Sequence, residues 1–227
     1  MMTEMRRLLP GVESVFTLPE LDDWLALGPT LVPFAPLVED LCARLSQRLF
    51  AHAQARLDPG LAAFAFWLRP ARLTGMRRDF FANCPETCLS VPRGVVLHFP
   101  PANVDSLFGY GWALALLAGN RSIIRVPERL GAMGRLLLAL IGESLADSSP
   151  ELAASSLFLS HARDDRLTAE LSARADVRVL WGGDASAAWL RGIAARPRGR
   201  DVIFPDRQSL AALSLPAYAA ADEAARA

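Results

Sequence analysis

Apolar residues recur at three- and four-residue steps from Phe34 through Val38, Leu41, Leu45 and Leu49, with Arg44, Gln47 and Arg48 between them. That spacing gathers the apolar side chains into one stripe and predicts an amphipathic helix. The stretch "LAAFAFWLRPARL" predicts a second, shorter helix ended by Pro70. Two prolines and a glycine in "PETCLSVPRG" then break the helical pattern.

Beyond Pro92 the pattern changes. Short β-branched or apolar runs appear at 94–99 (GVVLHF), 122–126 (SIIRV), 156–160 (SLFLS), 177–181 (VRVLW) and 201–204 (DVIF). Four helical segments lie between them, at 105–118, 130–146, 164–174 and 185–194. Strict alternation of strand and helix implies parallel strands joined by right-handed crossovers, and strands without polar alternation imply that both sheet faces are buried. The predicted fold is therefore α/β: a Rossmann-like parallel sheet of about five strands with helices on both faces, preceded by an N-terminal helical region. The expected divisions are a helical region over 1–91 packing on the sheet, an α/β domain over 92–213, and an Ala-rich tail over 214–227 that reads as a helix cut short.

Composition narrows the possibilities. The 24 basic and 24 acidic residues balance, so no basic excess favours a nucleic-acid partner. The two arginines near the start are followed by Pro10-Gly11 before any apolar run long enough for a secretory signal, and the most apolar later segments are shorter than a membrane span requires. A cytoplasmic protein is expected. Three cysteines without an export signal suggest reduced thiols, and Cys84 and Cys88 alone do not make a zinc site, so no metal is expected.

Candidate chemistry lies at two strand-to-helix turns. The strand at 94–99 ends in Pro100-Pro101-Ala102-Asn103, the next helix begins near Asp105, and Gly119-Asn120 closes it in the manner of a C-cap. In an open parallel sheet, ligands gather beyond the carboxyl ends of the strands, where helix N-termini present free N–H groups. Asn103 is either a donor that steadies an oxyanion there or simply the cap of the helix. Gly182-Gly183-Asp184 repeats the theme, and the two glycines serve either a close-approaching ligand or a tight turn. Neither G-x-G-x-x-G nor the G-x-x-x-x-G-K-[ST] phosphate loop occurs. His98, among apolar strand neighbours, reads as a hydrogen-bonded core histidine.

The segment "PRGVVLHFPPANVDSLFGYGWALALLAGNRSIIRVPE" resembles the start of the nucleotide-binding domain of the aldehyde dehydrogenase superfamily. With "VLWGGD", "RGRDVIFPDRQSLA" and the upstream "FWLRPARL", it looks most like the LuxC-type acyl-CoA reductases, over roughly residues 63–213. The resemblance implies reduction of a fatty acyl-CoA to an aldehyde with NADPH or NADH, through a thioester on an enzyme cysteine. It implies that Asn103 stabilises the oxyanion and that Pro101, Ala102, Arg125, Gly182, Gly183 and Asp184 contact the cofactor. A solvated strand end remains the alternative for Arg125, and an N-cap for Asp184.

The family's cysteine lies in a separate catalytic domain beyond the "FPDR" strand, and none of Cys42, Cys84 and Cys88 fits that role. The expected function is therefore the NAD(P)H-binding portion of a fatty acyl-CoA reductase, with acyl-CoA as substrate once a catalytic domain is supplied. The alternative is a non-catalytic remnant or interaction module that binds a protein partner or its own copy. A third reading makes Cys88 the nucleophile of an unrelated reaction.

Overall fold

The computed structural model describes residues 5–28, 31–85, 87–101, 103–205 and 214–220. The chain opens with strands β1 (Met5–Leu9) and β2 (Ser14–Phe16), not with a helix. Thr17 and Glu20 then form a reciprocal capping box that starts α1 (Leu18–Leu27). Val38, Leu41, Leu45 and Leu49 of the predicted stripe are fully buried on one face of α2 (Pro36–Ala51), where Cys42 joins them. Phe34 stands just outside that helix, with a left-handed φ of 53°.

Two short helices follow, α3 (Ala53–Leu57) and α4 (Pro59–Trp67). Pro70 does not simply end a helix: it opens another, α5 (Pro70–Ala82). The first turn of a helix tolerates proline because its N–H would have no acceptor there.

The remainder alternates as expected: β3 (Val95–Phe99), α6 (Leu107–Leu117), β4 (Arg121–Arg125), α7 (Ala132–Ala146), α8 (Pro150–Ala153), β5 (Ser156–Ser160), α9 (Asp165–Arg174), β6 (Val177–Trp181), α10 (Asp184–Gly192), β7 (Arg200–Phe204) and α11 (Leu215–Ala220). Part of the Ala-rich tail, 221–227, lies outside the described residues. The sheet has seven strands in the order β2-β1-β5-β4-β3-β6-β7. The five predicted strands are parallel to one another, and β1 adds antiparallel to β5.

Each face of the sheet carries its own core. On one face α2, α4, α6 and α7 bury Leu41, Leu45, Phe64, Trp112 and Ile141. The other is built around Leu21, Leu97, Ile123, Leu171 and Leu190. Helix α6 lacks a polar face because it lies between the sheet and the N-terminal helices. Trp112 donates its indole N–H to Ser156 Oγ at 2.8 Å, and a Cβ on Gly109 would come within 2.9 Å of the Phe64 ring. Gly119, with φ of 80°, ends the helix in the left-handed conformation that glycine adopts without strain.

Polar ties fix the strands. Asn120 Oδ1 accepts the Arg93 and Gly94 N–H groups at 2.7 and 3.1 Å, holding the entry to β3. Arg178 on β6 makes a two-pronged pair with Asp201 on β7, at 2.7 and 2.8 Å. Among the described residues, no helix is long and apolar enough to cross a membrane.

Candidate functional site: a cavity at the switch point of the sheet

From β3 the chain winds to β4 and β5 on one side, then returns to β6 and β7 on the other. Connections leaving β3 and β6 diverge to opposite faces and open a crevice beyond their carboxyl ends, the usual ligand position in such sheets. A cavity of about 470 Å³ lies there. Phe99, Pro100 and Pro101 line it from the end of β3, and Leu180, Trp181 and Gly182 from the end of β6. Ala185, Ser186 and Trp189 of α10 close one side.

Helix α10 begins at Gly183 without a side-chain cap. Its first N–H groups have no acceptor within the helix, so the positive end of the helix borders the cavity. Neither glycine is demanded by the turn. Gly183 has φ of −62°, Gly182 is not in the left-handed region, and a Cβ at 182 would meet Ser186 Cβ at 3.4 Å, an ordinary contact. Packing within the protein leaves room for a side chain at 182, so neither the turn nor the surrounding packing requires glycine there.

Two guanidinium groups line the same cavity. Arg125 is half-buried at the end of β4, and Arg163 lies three residues past the end of the neighbouring strand β5. Burial lowers the pKa of Arg125, Glu128 works in the opposite direction, and Arg163 lowers it further. The Arg163 guanidinium sits 5.1 Å from the centre of the Trp189 ring. Thr168 joins the lining, its hydroxyl donating to the Asp164 carbonyl at 2.8 Å.

Of the residues singled out in the sequence, Pro101, Arg125 and Gly182 line the cavity, and Gly183 and Asp184 form the first turn of α10 beside it. Asp184 is not the N-cap; Gly183 holds that place. Asn103 is exposed and is not among the lining residues, and it is not the helix cap either, since Ser106 is the N-cap of α6. Ala102 lies outside the described residues. His98 is buried on β3 with Nε2 3.3 Å from Ser122 Oγ, and burial pushes its pKa down to about 3, which keeps the imidazole neutral.

Arg163, Thr168, Ser186 and Trp189 escaped the sequence reading. Arg163 carried a usable signal, because a residue just past a parallel strand belongs to the ligand-binding edge. Trp189 carried none, since an aromatic residue on a helix reads first as core.

None of the cysteines lines the cavity. Cys42 is fully buried on α2, and burial, aided by the nearby Glu39, pushes its thiol up to about 12. Cys84 Sγ accepts from Ser90 Oγ at 3.3 Å, and Cys88 is exposed. Among the described residues no group of three His, Cys, Asp or Glu side chains could hold a metal ion.

Known structures share this fold. A Burkholderia cenocepacia protein assigned as an aldehyde dehydrogenase superposes with a TM-score of 0.61 at 18% identity, over 84% of this chain and 46% of that one. A mutant form of aldehyde dehydrogenase from Bacillus cereus gives 0.59 at 14% identity, over 89% and 47%. Betaine aldehyde dehydrogenase from Staphylococcus aureus, determined in complex with NAD+, gives 0.53 at 16% identity, over 81% and 39%. The chain thus spans less than half the length of each. No curated protein matches in sequence. The family model for acyl-CoA reductase (LuxC) matches residues 76–227, two thirds of the chain. By that match, carried on an aldehyde dehydrogenase-like fold, this chain belongs to the LuxC acyl-CoA reductase family.

Proposed function

We propose that this chain supplies the nicotinamide-dinucleotide site of an acyl-CoA reductase, and that the thiolate forming the acyl thioester comes from outside it. The observation that carries this reading is the cavity at the switch point, bordered by the uncapped N-terminus of α10 and by Arg125. Such a site suits an anionic cofactor: the helix terminus offers N–H donors to a pyrophosphate, and Gly182 leaves space for its approach. When bound, NADPH or NADH supplies the hydride that reduces the acyl group. Phe99, Pro101 and Trp181 provide a rigid apolar wall that orients the cofactor and keeps water out. Asn103, carried by the turn after β3, is proposed as the donor to the oxyanion, a role it takes up when the thioester-bearing part docks on that turn.

Support for an external nucleophile comes from the thiols themselves, since Cys42 is buried and held protonated and neither of the other two reaches the cavity lining. Acyl-CoA is then a substrate of the completed enzyme. A second reading, a non-catalytic module that associates through its sheet, draws on the apolar edge where Val202 and Leu114 are 43% and 47% exposed. Calorimetric titration of the folded chain with NADPH and with NADH separates the two. The reductase reading expects one dinucleotide per chain, with binding weakened by Gly182→Val. An absence of binding by either cofactor would leave only the second.

A further inference from the structure

The cavity presents more positive charge than a pyrophosphate at a helix terminus requires. Arg125 and Arg163 extend from the ends of hydrogen-bonded neighbours, β4 and β5, and both line the cavity, with Arg163 close enough to lower the pKa of Arg125. Arg125 has Glu128 beside it as a partial counterweight. Arg163 has much less: among the described residues its one ion pair is to Asp165 at 4.0 Å, the limit for such a contact, with both side chains well exposed. Its guanidinium is nevertheless placed, over the face of Trp189, which also lines the cavity. A guanidinium resting on an indole keeps its N–H edge free for a planar or tetrahedral oxyanion. A second anionic group is therefore expected near Arg163, apart from the end of α10.

Resting on the dinucleotide reading above, we propose that Arg163, seated on Trp189, is the specificity-determining residue that binds a phosphomonoester on the adenosine ribose, so that the site selects NADPH over NADH. Arginine suits this task because its fork makes paired, charge-assisted hydrogen bonds to phosphate oxygens. The ribose phosphate of coenzyme A has the same chemistry but sits on the 3′ oxygen. The two sources differ in position and can be told apart.

The test is competition calorimetry on the whole chain with adenosine 2′,5′-bisphosphate, adenosine 3′,5′-bisphosphate and 5′-AMP, alongside NADPH and NADH. Expected are tighter binding of NADPH than NADH and of the 2′,5′-bisphosphate than 5′-AMP, by roughly tenfold to a hundredfold, the range for one charge-assisted hydrogen-bonded contact. Arg163→Gln should abolish this preference while leaving NADH and 5′-AMP affinity intact, and Arg163→Lys should restore part of it. Arg166→Gln, at an exposed position on α9 outside the cavity lining, should leave the preference unchanged. Equal affinity for NADPH and NADH would overturn the inference and spare the dinucleotide reading. So would an Arg163→Gln variant that weakens both alike, or tighter binding of the 3′,5′-bisphosphate. Failure of both dinucleotides to bind would remove the two proposals together.

Discussion

The carboxylate of Asp105, in the turn after β3, accepts the backbone N–H of Gly134 in the first turn of α7 at 3.0 Å and that of Gly131 at 3.3 Å. Gly131 is the N-cap of α7 and supplies no side-chain cap of its own, so the cap comes from a residue 26 positions earlier. This bond ties the turn that borders the cavity to the next helix. Asp105→Ala should destabilise the fold by about 1–2 kcal/mol, as loss of an N-cap does, and Asp105→Asn should keep most of that. Urea unfolding of the two variants measures it; equal loss from both would contradict the capping role.

The Arg178–Asp201 pair joins β6 to β7 with side chains 4% and 25% exposed. Asp201→Ala leaves a buried guanidinium without its carboxylate, although Arg178 still donates to the Ile193 carbonyl at 2.9 Å. The expected cost lies near the lower end of the roughly 3–5 kcal/mol for breaking a buried pair, because Asp201 keeps some water. Replacing both residues with leucine should recover much of the loss. Equilibrium unfolding of the single and double variants would show it.

Thiol chemistry should follow burial. In the folded protein at neutral pH, an aromatic disulfide reagent should modify the exposed Cys88 readily and Cys42 only after unfolding, because its thiol is raised to about 12 by burial. Mass spectrometry of the labelled peptides identifies the sites. Cys42 labelling at a rate equal to that of Cys88 would contradict the packing of α2.

Acid sensitivity should begin above the carboxylate range. Burial holds the pKa of His98 at about 3, against an ordinary value of 6.5, and burial also lowers that of His161. The unfolded chain therefore takes up protons below pH 6.5 that the folded chain refuses. Stability from this source is complete above pH 6.5 and declines as pH falls, for His98 by up to about 1.4 kcal/mol per pH unit toward pH 3, with His161 acting in the same direction. Urea melts between pH 7 and 5 should show the decline, and His98→Gln should flatten it. A profile unchanged by the substitution would assign the effect elsewhere. Glu20 and Asp22, both lowered by hydrogen bonds, keep their contributions above their ordinary values of 4.5 and 3.8 and lose them as pH falls below those values.

Legibility followed the range of the interactions. The five parallel strands and the α2 stripe were readable because each is written in local periodicity, and β5 and β6 match their predicted bounds. Strands β1 and β2 were not, since five residues containing two arginines show no period and become a strand by pairing Arg6 with Ser160, far along the chain. Pro70 misled because proline breaks a helix interior but suits a helix start. Of the residues lining the cavity, Gly182 was readable from a strand-to-helix turn, whereas Arg125 came only from the family resemblance. The Arg163–Trp189 contact joins a loop to the face of a helix well beyond it in the chain, which no local pattern encodes.

The most direct test of a dinucleotide site at the switch point is amide hydrogen exchange of the folded chain with and without NADPH. The account predicts slowed exchange at the start of α10, residues 182–187, and at the neighbouring strand ends that line the cavity, with little change in α2 or β1. Unaltered exchange at 182–187 in the presence of saturating cofactor, or protection confined to another part of the molecule, would contradict it.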